Sequence, residues 1–334
     1  MNKVLIIGGE GYIGKVVRNS LINNGYYVTS YDLLLYQNGM NIDISRNSRY
    51  SFIHGDMMDS IKLKKEIEKS DAVILLAGLV GDPITKKYPS ESALINDKAV
   101  KNVIDLCADL NKEKFIFIST CSNYGLIEND ELANEEFELK PLSLYAKSKV
   151  AAEKHILSLK GKTELEPTIL RFATAFGLSE RMRFDLTVNE FTRELANGND
   201  LLVYDASTWR PYCHVKDFAR LIQLVLESTR EKVSWEVFNA GGNINNATKQ
   251  MIVDSILEEI PSGKVQYKEH GSDPRNYRVS FQKVNSVLGF SPQYTIKDGI
   301  NELIAEMNNN TFKDVDKNRN YYGNYHLEYS LKNE

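Results

Sequence analysis

A five-residue apolar run, Lys3–Ile7, leads directly into GGEGYIG at 8–14, and the residues after this turn narrow the fold sharply. KVVRNSLINNG carries helical periodicity to a stop at Gly25, and YYVTSYD at 26–32 alternates as a strand does. Strand, glycine turn, helix and strand within about 30 residues make a βαβ unit of the kind that holds a dinucleotide. Each glycine has a physical job: Gly8 for the tight turn, Gly11 for close approach of a pyrophosphate, Gly14 for helix–strand packing. Asp32 ends the second strand, 18 residues after Gly14. A carboxylate there binds both ribose hydroxyls and repels a 2′-phosphate, so NAD(H) is expected over NADP(H).

The same alternation continues. RYSFIHGDMMD (49–59) reads as strand then turn, IKLKKEIEKS as helix, and DAVILLAGLVGD (71–82) as a buried strand. SALINDKAVKNVIDLCADL (92–110) reads as one long helix, followed by strands KFIFIST (114–120) and PTILRFATAFG (167–177). This order specifies an α/β fold built on a doubly wound parallel sheet. Ligands of such sheets sit beyond the carboxyl ends of the strands, where Asp32, Asp56, Ala77, Gly78, Thr120, Phe172 and Ala173 fall.

After about residue 176 the pattern turns irregular: a helix at 188–197, a short strand, a loop rich in arginine and aromatics, then an amphipathic helix at 217–229 and another strand. Two lobes are expected: 1–176 with about 213–241 returning to it, and a smaller α+β lobe from 177–212 and 242–334. The tail KNRNYYGNYHLEYSLKNE, rich in Tyr and Asn, is expected to dock on the surface or fray. A net charge of −4 argues against a nucleic-acid partner. The longest apolar run, AVILLAGLV, is too short to span a bilayer, and no leader precedes KVLIIGG. The three cysteines form no CxxC pair, so a reducing cytoplasm is expected, without zinc or disulfides.

The chemistry points to PLSLYAKSKVAAEKHILSLK at 141–160, an amphipathic helix entered through Pro141 and Ser143. Tyr145 and Lys149 are four apart and share a face. An ammonium beside a phenol favours the phenolate, so the Tyr145 pKa is expected to fall toward neutrality and suit the residue as a general base. The spacing alone is weak, because Tyr212 and Lys216 repeat it; those two read better as a surface or substrate-lobe pair. Thr120 separates the cases. It closes a strand 25 residues before Tyr145, where its hydroxyl can bond a substrate alcohol and Tyr145 together.

Taken together, GGEGYIG, YD at 31–32, GDMMD at 55–59, LAGLVGDP at 76–83, STCSNYG at 119–125, YAKSK at 145–149, RFATAFG at 171–177, RPYCHVKD at 210–217 and DPRNYRVSFQKVNSVLGF at 273–290 resemble the extended short-chain dehydrogenase/reductases. The resemblance is to their NAD-dependent epimerase/dehydratase family, which acts on nucleotide sugars, and it spans almost the whole chain. It implies a Rossmann domain in which Gly8, Gly11, Tyr12, Ile13 and Gly14 bind the pyrophosphate and Asp32 the adenosine ribose. Asp56 and Met57 would meet the adenine, Ala77, Gly78 and Leu79 the central part of NAD, and Asn96 would support the site. Thr120, Tyr145 and Lys149 would form the catalytic trio, Lys149 also binding the nicotinamide ribose, with Phe172 and Ala173 flanking the nicotinamide. Asn189, Arg210 and Arg275 would hold the diphosphate of a nucleotide-sugar substrate, and relatives pair as homodimers through the helices that correspond to 92–110 and 143–160.

The departures choose the branch. Nucleotide-sugar 4,6-dehydratases carry Asp-Glu directly after the catalytic Thr, where this chain has Cys121 and Ser122. Oxidation at C4 by NAD+ is then expected, the 4-keto sugar being released by a 4-dehydrogenase or re-reduced by a 4-epimerase. RFATAFGLSERMRFDLTVNEF and STWRPYCHVKD resemble the branch containing GDP-heptose 4-dehydrogenases of bacterial surface-polysaccharide pathways. Two alternatives stay open: an NAD(P)H-dependent 4-ketosugar reductase or epimerase that uses Cys121 as acid/base, and a non-catalytic NAD-binding relative.

Overall fold

The computed structural model describes residues 2–37, 47–127, 131–271, 273 and 275–329. Pro274 of the DPRNYR motif and residues 330–334 of the Tyr-rich tail lie outside the described residues. Seven parallel strands form the main sheet in the order Glu236–Ala240, Pro167–Phe172, Lys114–Thr120, Ala72–Leu75, Lys3–Ile7, Tyr27–Asp32, Tyr50–His54. Chain order reverses between Lys3–Ile7 and Ala72–Leu75, which is where such sheets open a crevice for a ligand. The expected α/β doubly wound fold is thus the observed one.

The central strands read as unbroken apolar runs because both of their faces are covered. Successive side chains point to opposite faces. Val4 and Ile6 join Val17 and Leu21 of helix Tyr12–Asn23 and Phe218, Ile222 and Val225 of helix Val215–Glu227. Leu5 and Ile7 join Leu63 and Ile67 of helix Ser60–Glu68, with Val103, Ile104 and Cys107 of helix Val100–Asp109 and Ile156 of helix Leu144–Ser158. Each such fully buried aliphatic side chain contributes about 1.5–3 kcal/mol.

Of the elements that differ from the sequence reading, two stand next to the crevice. The strand expected across 71–82 ends at Leu75, and the chain then turns through Gly78 and Gly81, both with positive φ. The helix expected at 92–110 is regular only from Val100; Ala93–Ala99 is a wider π-helical stretch. That widened stretch carries Asn96 to the Gly78 loop, where its side chain accepts from Leu79 N at 2.7 Å and donates to Leu79 O at 2.9 Å.

The second lobe has its own core of Val188, Leu195, Ile252, Ile256 and Ile300 between helices Thr187–Ala196, Lys249–Glu259 and Ile296–Asn308. Thr295 starts the last of these with a capping box to Asp298. Strands Thr174–Phe176, Trp209–His214 and Asn246–Thr248 make a small sheet that faces the carboxyl ends of the main one. Helix Gln282–Leu288, not foreseen from its polar sequence, packs beside the edge strand Glu236–Ala240. Among the described residues no helix is long and apolar enough to cross a membrane.

Candidate active site

A cavity of about 520 Å³ lies between the strand ends and the second lobe. Its floor is the glycine turn. A methyl on Gly8 would lie 2.6 Å from Ala77 N, one on Gly9 2.3 Å from Ser30 Oγ, and one on Gly14 2.2 Å from Gly8 O. Gly11 is different: its nearest neighbour would be Gly8 O at 3.4 Å, so a side chain would fit against the protein but would fill the cavity. Helix Tyr12–Asn23 begins there with no side-chain cap, so its first-turn N–H groups and the positive end of its dipole are left for an anion.

Asp32 accepts from Glu10 N at 2.9 Å and Leu34 N at 2.8 Å, and burial raises its pKa above the ordinary carboxylate value. Glu10 is itself wholly buried against Arg18 at 2.8 Å and takes a hydrogen bond from Tyr50 at 2.7 Å, which ties the glycine turn to the start of strand Tyr50–His54. Asp56 and Met57 line the same wall, Asp56 Oδ1 accepting from Met58 N at 2.9 Å. Ala77 and Gly78 line it as well, whereas Leu79 does not: it is completely buried behind the wall, with both backbone groups held by Asn96. Leu79 is therefore structural, and Asn96 acts from behind the cavity.

Thr120, Tyr145 and Lys149 converge on one part of the cavity with Phe172 and Ala173. Ser143 starts the Tyr145 helix by accepting from Ala146 N at 3.2 Å. The Thr120 hydroxyl accepts from Ser122 N at 3.1 Å and stands beside Tyr145, where a bond from it favours the phenolate. Lys149 Nζ donates to Ile118 O at 2.7 Å and sits 5.9 Å from the centroid of the Tyr145 ring. Here one expectation needs correction. The Tyr145 pKa stands above its ordinary value, first through burial and then through the negative charge of Asp82; Arg183 and the Thr120 bond pull the other way. Lys149 is the group that moves toward neutrality, lowered by burial to about 8. The desolvation of a buried phenol outweighs an ammonium whose hydrogen bond goes to a backbone carbonyl.

The proposed substrate residues divide. Arg210 and Arg275 line the cavity with Asp82 and Asp273. Arg275 bridges Asp82 Oδ2 at 2.8 Å and Asp273 Oδ2 at 2.7 Å and reaches Ser122 Oγ at 3.1 Å. Arg210 Nη1 donates to Trp209 O, while its Nη2 lies 3.1 Å from Asp273 Oδ2 as an ion pair whose angles make no hydrogen bond. Asn189 is excluded from the cavity. It is wholly buried, and its amide donates to Tyr12 Oη at 3.0 Å and Arg183 O at 2.9 Å while accepting from Gly177 N at 3.0 Å. With every hydrogen of its amide committed, Asn189 fastens the two lobes together and has nothing left for a phosphate.

Sequence reasoning missed Arg181 and Arg183, both buried and both facing the cavity. Arg183 is paired bidentately with Asp185 at 2.9 and 2.6 Å. Among the described residues Arg181 has no carboxylate ion-pair partner and its Nε is unbonded, and burial beside Arg183 lowers its pKa to about 10. The signal was the RMRFD string at 181–185, directly after a strand that ends at the crevice. Also missed were Tyr36, Gln37 and Lys249, and, from the tail, Asn324, Tyr325 and Tyr329.

Cys121 points away: its thiol is buried, donates to Arg171 O at 3.1 Å, and is pushed well above the ordinary thiol range. Around it runs an unforeseen polar node. Arg171 grips Glu153 at 2.7 Å, and Glu153 also accepts from Ser119 and, at 2.9 Å, from Asn123. Tyr212 and Lys216 form no pair, and Tyr212 is no surface residue. Tyr212 is fully buried, and Lys216 Nζ turns to Glu302 Oε2 at 2.9 Å.

Comparison with known proteins agrees with this architecture. The model of the NAD dependent epimerase/dehydratase family matches residues 4–241. A dTDP-glucose 4,6-dehydratase of Actinoplanes sp. is 26% identical over 318 residues, covering 91% of this chain and 97% of the relative. A putative UDP-glucose 4-epimerase of Methanocaldococcus jannaschii is 24% identical, covering 92% and 99%. The crystal structure of the UDP-glucuronic acid 4-epimerase of Bacillus cereus, in complex with UDP-glucuronic acid and NAD, superposes with a TM-score of 0.81 at 24% identity, over 92% of this chain and 99% of that one. The chain belongs to the NAD-dependent epimerase/dehydratase family.

Proposed function

We propose that the protein oxidises C4 of a nucleotide-diphosphate sugar with NAD+, as a 4-dehydrogenase or a 4-epimerase. The observation that carries this reading is the convergence of Thr120, Tyr145 and Lys149 on the wall of a cavity whose floor is the bare glycine turn. The residues fit the cofactor. Gly8, Gly11, Tyr12, Ile13 and Gly14 offer backbone and helix terminus to a pyrophosphate; Asp32 sits where a ribose needs an acceptor, and Phe172 and Ala173 flank the trio. Bound NAD+ supplies a hydride acceptor and a positive charge.

Tyr145 then takes the proton of the 4-hydroxyl as the C4–H bond yields its electron pair, leaving a C4 ketone. Thr120, beside Tyr145 on the cavity wall, aligns that hydroxyl. Lys149, with a pKa near 8, lends positive charge and a route for the proton back to solvent. A 4,6-dehydratase, the activity named for several relatives, needs a further acid/base pair after Thr120. Cys121 is turned to Arg171 O, and Ser122 is a hydroxyl already bonded by Arg275, so neither supports that step. The burial of Cys121 equally disfavours the reductase reading that would use it.

The division of labour we assign is 1–176 with about 213–241 for NAD, and 177–212 with 242–334, the end of the tail apart, for the nucleotide sugar, where Arg210 and Arg275 would take the diphosphate. A GDP-heptose substrate and a place in bacterial surface-polysaccharide synthesis are the narrower reading, carried by the 171–191 and 207–217 strings. Incubation with GDP-, UDP-, dTDP- and CDP-sugars while following NADH is the test. Tyr145→Phe should keep NAD bound and lose hydride transfer by about 10²–10⁴-fold. Near-normal NADH formation in that variant refutes the role given to Tyr145.

A further inference from the structure

The tail reads in sequence as a surface segment, yet three of its residues, Asn324, Tyr325 and Tyr329, line the cavity together with Gly11, Asp32 and Asp56. We infer that residues 323–329 are part of the dinucleotide site: a strap across its adenosine half that must lift before the cofactor leaves, with Tyr329 positioning Asp56. The inference rests on the reading that this cavity holds NAD.

The strap is fastened at both ends and in the middle. At its start, Arg181 Nη2 donates to Gly323 O at 3.2 Å and Asn324 Oδ1 at 2.8 Å, while Asn324 Nδ2 donates to Val80 O at 3.1 Å. The next two residues meet the far rim: Lys87 Nζ donates to Tyr325 O at 3.2 Å, and Tyr88 Oη bonds His326 Nδ1 at 2.6 Å. Leu327 is buried in the same core cluster as Leu5, Ile7, Tyr31 and Met57, beneath the strand ends. Tyr329 Oη then donates to Asp56 Oδ2 at 3.0 Å. The segment thus bridges Arg181, the stretch from Val80 through helix Asp82–Lys87 to Tyr88, and Asp56 just after the Tyr50–His54 strand; Arg181, Val80 and Asp56 line the cavity.

The last bond has chemical content. Asp56 Oδ1 is held by Met58 N and Oδ2 by Tyr329, so the carboxylate is fixed in one orientation with a lone pair left on each oxygen. A fixed acceptor at this wall suits the exocyclic amine of adenine and rejects a base that carries a carbonyl at that position. A frayed tail would give neither the orientation nor the cover.

Two variants of the full chain test this. Truncation after Asn324 keeps the Arg181 bonds and removes the rest of the strap; NADH release, followed by stopped-flow fluorescence, should quicken at least about tenfold. Tyr329→Phe keeps Leu327 seated. It should leave the unfolding temperature unchanged but reduce, at least about threefold, the preference for NAD over its hypoxanthine analogue. Equal release rates in the intact and truncated chains overturn the strap. Undiminished base preference in Tyr329→Phe overturns the positioning role, and that variant decides alone where the truncated chain does not fold. An intact protein that binds no NAD in native mass spectrometry refutes the proposed function, whereas one that binds NAD and releases it as fast as the truncated form refutes only the strap.

Discussion

Replacing Asn189 by Ala separates a structural role from a substrate-binding one. The side chain is wholly buried and makes three hydrogen bonds, to Tyr12 Oη, Arg183 O and Gly177 N. Each buried bond contributes about 1 kcal/mol net, and the Gly177 N–H and Arg183 carbonyl would be left unpaired in a dry interior at about 1 kcal/mol or more each. The expected loss is about 3–5 kcal/mol, which lowers the apparent unfolding temperature by roughly 4–7 °C. Tyr12 keeps its own bond to Gly177 O at 2.6 Å, so the lobes loosen without coming apart. Calorimetry measures the stability change, and titration calorimetry with the nucleotide sugar at a temperature where the variant is folded measures binding. A large first effect is expected, and a second within a few fold. A variant with unchanged unfolding temperature and nucleotide-sugar binding at least tenfold weaker would falsify the structural role and return Asn189 to the diphosphate.

Asp82→Asn removes the charge that, after burial, does most to raise the Tyr145 pKa. A lowered Tyr145 pKa means more phenolate at a given pH, so the limb of the kcat–pH profile that rises with deprotonation of the base should move to lower pH. An unmoved limb, or one displaced to higher pH, contradicts the assignment. Pairing of two chains through the helices at 92–110 and 143–160 is the second expectation, supported by Leu142, Leu144 and Leu157, which are 39–46% exposed on or beside the catalytic helix. A monomeric mass in light scattering at micromolar concentration excludes it.

Most of the fold was legible because hydrophobic period and glycine placement act locally. KVLII and KFIFIST read as strands because burial on both faces demands apolar runs, and the observed strands coincide with them, whereas the run at 71–82 is a strand only over Ala72–Leu75. Gly8, Asp32 and Thr120 were found because they stand at strand ends, Tyr145 because it shares a helix face with Lys149, and Arg275 only through the DPRNYR motif that the resemblance supplied. Asn189 was misplaced for the opposite reason. Its motif put it in the right neighbourhood, but whether an amide faces a ligand or a backbone depends on Arg183 and Gly177, brought to it only by the tertiary fold. The tail was misjudged on composition: its tyrosines and asparagines look solvated in sequence, and they find buried partners only across a separation of 273 residues for Tyr329 and Asp56. Arg181 hid likewise, since an arginine after a strand looks like any surface charge until burial strips it of water.

The same distinction governs the base. Four-residue spacing puts Tyr145 and Lys149 on one helix face, and at the surface the ammonium would dominate the phenol. Inside the cavity the order of effects inverts, because desolvation acts on each group separately while the ammonium is shared with Ile118 O. Tyr145 moves away from neutrality and Lys149 toward it, so neither is primed alone. After burial, the charges nearest the phenol set its pKa: Asp82 raises it further, and Arg183 lowers it.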